Sequence, residues 1–130
     1  MTDDRTVRMR VEIDAVDRVA ELESLRDWLA EVDQLRGLVR SVESPPPSHV
    51  LGPVVDSLEV VVGPVATAVA ASVVAWVRSR SGRVTVRLER PDGTKLTIDA
   101  ARVRGLSPAD VHAEVDRVLK AIEGPGEQPE

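Results

Sequence analysis

Val7, Met9, Val11 and Ile13 alternate with Thr6, Arg8, Arg10 and Glu12, a period of two that predicts a strand with one apolar and one wet face. From Asp14 the period lengthens. Val16, Val19, Leu22, Leu25, Trp28, Leu29 and Val32 recur at three- and four-residue steps, with Asp17, Arg18, Glu21, Arg26 and Glu31 between them. This predicts an amphipathic helix ending near Gly37, where glycine can take the left-handed cap conformation. Residues 38–43 read as a short strand, closed by Pro45, Pro46 and Pro47, which donate no ladder hydrogen bonds.

Val54, Val55, Leu58, Val61 and Val62 then mark a helical face, with Asp56, Ser57 and Glu59 opposite. Gly63-Pro64 interrupts this pattern, and a kink or restart is expected there because proline inside a helix removes a hydrogen bond and clashes with the preceding turn. Residues 65–77 are uncharged and mostly Val and Ala; Arg78 and Arg80 follow, placed well for a helix C-terminus.

Val84, Val86 and Leu88 alternate with Thr85, Arg87 and Glu89. After Pro91-Asp92-Gly93, Leu96 and Ile98 alternate with Lys95, Thr97 and Asp99, which predicts a β-hairpin. Ser107-Pro108-Ala109-Asp110 has the chemistry of a helix start, and Val111, Val115, Val118, Leu119 and Ile122 form its apolar face. The order β-α-β, long Val/Ala helix, β-hairpin, α predicts an α+β fold: a mixed sheet of about four strands with helices packed on one face. The first β-α-β would place its strands parallel through a right-handed crossover. Residues 1–123 are expected to form a single domain, and the acidic remainder 124–130 a disordered tail.

Composition narrows the chemistry. The chain has 130 residues, no Cys, Phe or Tyr and two Trp, so Val, Leu and Ala supply nearly all the core, and thiolate metal sites and cysteine nucleophiles are excluded. A net charge of -5 argues against a nucleic-acid binder that works by releasing phosphate counterions. The acidic start, without a basic and then apolar leader, points to a cytoplasmic protein. His49 lies near Ser48 and Asp56, but no motif fixes a triad, and His112 reads as a surface partner for Asp116 one turn later. No phosphate loop, zinc motif or nucleophile elbow is present, and no cofactor is expected.

The uncharged stretch 60–77 supports two readings. At about 1.5 Å per residue a helix of that length approaches the roughly 30 Å bilayer core, so a marginal membrane contact is one. The other is a helix buried in protein or at a homo-oligomer interface, because Gly63, Thr67, Ala71 and Ala75 recur every four residues and let another backbone approach closely. The strand faces with Arg8, Arg10 and Arg87 near Glu12 and Glu89 read either as solvated surface with cross-strand ion pairs or as a partner-docking face. Candidate contact residues are therefore Arg8, Arg10, Trp28, Gly63, Thr67, Ala71, Ala75, Trp76 and Arg87.

Taken in order, the Arg/Val strand, Leu25-Arg26-Asp27-Trp28-Leu29, Leu35-Arg36-Gly37, Val42-Glu43 before prolines, Ala75-Trp76-Val77-Arg78 and Arg90-Pro91-Asp92-Gly93 resemble the effector-associated constant component family of actinobacteria. The resemblance runs from about residue 5 to residue 123. It implies a small non-catalytic companion that binds and regulates an effector, a peptidase or an NTPase-centred protein, in a bacterial conflict or immunity-like system. It carries over no catalytic residue.

Overall fold

Alternation and β-branching, more than helical period, govern the middle of the chain. In the computed structural model, which describes residues 7–44 and 54–123, residues 54–62 form a strand. The elements in chain order are β1 (Val7–Asp14), α1 (Arg18–Ala30), a single 3₁₀ turn (Asp33–Leu35), β2 (Val39–Ser44), β3 (Val54–Val62), α2 (Ala66–Ser79), β4 (Thr85–Glu89), β5 (Lys95–Asp99), α3 (Ala100–Arg104) and α4 (Pro108–Glu123). The expected tail, residues 124–130, lies outside the described residues.

The fold is α+β, as the sequence predicts, with a five-stranded sheet in the order β2-β3-β1-β4-β5. Every neighbouring pair is antiparallel. Two expectations are corrected. The helical reading of 54–62 fails because Leu58, Val60 and Val62 also fit a period of two, and the strand's partners on both sides complete its backbone hydrogen bonds. The expected mixed sheet of about four strands also gives way. β1 and β2 do run in the same direction, since both are antiparallel to β3, but β3 lies between them, so no parallel pair forms.

The helices cover the sheet face that carries Met9, Val11, Ile13, Leu58, Val60, Val62, Val86, Leu88 and Ile98, all buried. Helix α1 begins at Arg18, where the Asp17 carboxylate accepts from the Ala20 amide at 3.2 Å, and it buries Leu22, Leu25 and Leu29. Val16, expected on its apolar face, precedes the helix and is fully exposed. The helix ends at Ala30, and Gly37, with φ +84°, turns the chain into β2 instead of capping α1. The predicted hairpin β4–β5 and the helix α4 form, with Ser107 Oγ accepting from the Asp110 amide at 3.2 Å.

The hairpin turn is closed by Gly93, whose amide donates to the Arg90 carbonyl at 3.0 Å and whose φ is +95°. Gly93→Ala should cost about 1–2 kcal/mol, measured by chemical denaturation, because an L residue is strained there. An added Cβ meets nothing within 4 Å, so the loss is conformational and not steric. Arg90 donates to the Ile122 carbonyl, which ties this turn to the last turn of α4 and satisfies one of its terminal carbonyls.

Candidate interaction surface

Pro64, which has no N–H, and Gly63 end β3, and the Ala/Val-rich segment behind them coils into α2. Ala66, Val69, Ala70, Val73, Val74, Trp76 and Val77 are its buried side. Thr67, Ala71 and Ala75 lie on the opposite side, exposed and uncharged.

Helix α1 lies antiparallel beside α2, and each helix sends one indole to the other. Trp28 Nε1 donates to the Ser72 carbonyl at 3.1 Å, and Trp76 Nε1 donates to Ser24 Oγ at 3.2 Å. One turn further, Arg80 sits over the Trp76 ring, 4.9 Å from its centroid, and meets Glu21 at 2.9 Å. Trp76 is fully buried, whereas Trp28 remains 39% exposed. An open depression of about 370 Å³ results, lined by Trp28, Glu31, Val32, Ala71, Ser72 and Ala75.

The other sheet face is charged but internally matched. Arg10 meets Glu12 at 3.0 Å and Asp56 at 3.5 Å, Arg87 meets Glu12 at 3.5 Å, and Arg40 meets Glu59 at 2.7 Å. Arg8 reaches Glu59 only at 4.0 Å, and Arg18 joins Asp56 at 3.0 Å. Such pairs on an exposed face add little stability, yet they neutralise its potential.

The candidate contact residues thus fall in different places. Trp28, Thr67, Ala71 and Ala75 are gathered on the helix layer, while Arg8, Arg10 and Arg87 lie on the open sheet face. Trp76 presents no surface to a partner, because its apolar ring fills the core. Gly63 precedes α2 in the turn after β3, so it is not part of the helical stripe.

The stretch 60–77 is likewise split. Val60 and Val62 complete β3, and α2 begins only at Ala66, with 14 residues, about 21 Å of helix. Among the described residues no helix is long and apolar enough to cross a membrane. This corrects the reading of 60–77 as one membrane-spanning helix, since its first residues are ladder-paired strand and α2 buries its larger side chains in protein.

The described residues hold no group of three or more His, Cys, Asp or Glu that could bind a metal ion. His112 is exposed and makes no ion pair with Asp116, and His49 and Ser48 lie outside the described residues. The pattern reading missed a buried carboxylate. Glu114 is 5% exposed and held by Arg117 at 2.7 Å and Arg102 at 2.8 Å. Burial pushes its carboxyl up, but hydrogen bonds from Arg117 and Arg102 and their charges outweigh this and hold it at about 2. The three-residue spacing of Glu114 and Arg117 is a signal legible in sequence; Arg102, from α3, gives none.

The family model described as Effector Associated Constant Component 1 matches residues 3–121, which is most of the chain. The chain belongs to this family. The match spans every element from β1 to the body of α4, so membership concerns the whole sheet and its helix layer, not one motif. Comparisons with curated proteins and with solved structures find no match. The family's description makes this an effector-associated component.

Proposed function

We propose that the chain is a cytoplasmic, non-catalytic adaptor that binds and regulates an effector protein in a bacterial conflict or immunity-like system. The observation that carries this reading, within the family, is the depression between α1 and α2, where an exposed indole stands beside Val32, Ala71 and Ala75, with Glu31 as the charge in its lining. A half-exposed Trp at the rim of an apolar hollow is the kind of anchor that supplies most of the energy of a protein contact. The family resemblance points to a peptidase or an NTPase-centred protein as the effector. A second copy of the chain could use the same small-residue surface of α2, which lets backbones approach closely.

Ala71→Arg tests the surface. Ala71 is exposed, so stability should change by no more than about 0.5 kcal/mol. Capture of the effector encoded beside this gene, in pull-downs from the native host, should drop by about tenfold or more if the depression is the contact. Capture that the substitution leaves intact removes the depression from the interface, and wild-type chain that recovers no effector removes the adaptor reading.

A further inference from the structure

The contact between α1 and α2 holds one completed cation site. Arg80 lies over the Trp76 ring, 4.9 Å from its centroid, and meets the Glu21 carboxylate at 2.9 Å, so an indole and a carboxylate from facing helices share one guanidinium. The ring contributes the negative face of its quadrupole, and the carboxylate contributes a formal charge.

At the other end of the same contact an indole and a carboxylate meet again. Trp28 is fixed by its bond to the Ser72 carbonyl at 3.1 Å, and Glu31, exposed, lines the same depression. Among the described residues no Lys or Arg stands over Trp28 or pairs with Glu31. The neighbouring cations are engaged elsewhere: Arg26 by Asp27 at 3.2 Å and by Ser41 Oγ at 3.3 Å, and Arg36 by Asp33 at 3.1 Å. Arg78 lies beyond Trp76, toward the opposite end of the contact. Glu31 is also the C-cap of α1, whose last turn has no basic residue. A carboxylate there faces the negative end of the helix dipole, so it works against the helix, and an arriving cation relieves that repulsion. A guanidinium fits better than an ammonium, because its plane stacks on an indole while its edge bonds a carboxylate.

We propose that Trp28 and Glu31 receive an arginine side chain of the effector, its guanidinium on the indole and paired with the carboxylate, its methylenes against Val32, Ala71 and Ala75. This deepens the adaptor reading and rests on it only for whose arginine it is.

The test uses the full chain and a short synthetic peptide with one arginine between alanine and leucine residues, beside its citrulline counterpart, which has nearly the same shape and no charge. Binding is followed by amide shifts and by the Trp28 indole resonance. The arginine peptide should shift that resonance and bind about fivefold or more tightly than the citrulline peptide. Glu31→Gln, at an exposed position that leaves the fold intact, should erase the preference. Trp28→Leu should weaken the arginine peptide by about fivefold as well. No binding of the arginine peptide, equal binding of the two peptides, a preference that survives Glu31→Gln, or arginine binding unchanged in Trp28→Leu would each overturn the proposal. Effector capture in a chain that shows no preference for the arginine peptide sinks the arginine site and leaves the adaptor reading standing. A clear preference in a chain that captures no effector in the host does the reverse.

Discussion

Removing both arginines around Glu114, as Arg102→Ala with Arg117→Ala, is expected to lower the unfolding free energy at neutral pH by about 3–5 kcal/mol, read from urea denaturation. The magnitude follows from what is left behind. Glu114 is only 5% exposed, and without its two partners it becomes a poorly solvated carboxylate with no counter-charge. The converse change is milder. In Glu114→Gln the arginines, 47% and 44% exposed, return to solvent, so the loss should be smaller than in the double variant.

Acid gives the same prediction a second readout. In the wild type the Glu114 carboxyl is held at about 2, below its ordinary 4.5, so its contribution is fully present above pH 4.5 and is lost as pH falls toward 2. That depression corresponds to a contribution on the order of 3 kcal/mol. In the double variant burial acts alone and raises the carboxyl, so acidification relieves the stranded charge instead of removing a bond. The stability gap between wild type and double variant should therefore shrink steadily as pH falls below neutrality. A gap that stays constant with pH would mean that the arginines act by packing and not by charge.

Trp76→Ala should cost about 3–5 kcal/mol, comparable to emptying any large core position. Trp76 is fully buried, and its ring is also the platform for Arg80 at 4.9 Å. Its loss opens a void between α1 and α2, strands the Ser24 hydroxyl and loosens the Arg80–Glu21 pair. Trp76→Phe separates these effects. A phenyl ring keeps most of the volume but has no N–H for Ser24, so about 1–2 kcal/mol of loss is expected, with circular dichroism as the signal. The remaining fluorescence then comes from Trp28 alone, which is 39% exposed and should emit further to the red than the parent.

These two sites differ in how far they could be foreseen. The Glu114–Arg117 pair lies within α4 at a spacing that always brings side chains together, whereas Arg102 arrives from α3 across an intervening turn. Trp76 and Trp28 both sit on helices, and nothing in their neighbouring residues says which one enters the core. That is decided by the antiparallel alignment of α1 against α2, where Trp76 meets Ser24 from below the helix layer and Trp28 meets Ser72 from its rim. The contact candidates divide for the same reason. Arg8, Arg10 and Arg87 share a wet sheet face, and Thr67, Ala71 and Ala75 share the outer side of α2, yet the two groups lie on opposite sides of the sheet.

What the chain determined by itself was local. β1 and the hairpin β4–β5 follow from strict alternation with turn residues at Pro91-Asp92-Gly93, and α4 from its Ser107-Pro108 start and its apolar period. Those signals act between residues a few positions apart, so no distant partner is needed to read them. The tertiary structure alone decided that residues 54–62 are strand and that β3 separates β1 from β2. Valine-rich segments satisfy helical and alternating periods at once, and the choice between them is made by backbone hydrogen bonds to strands that are distant in sequence.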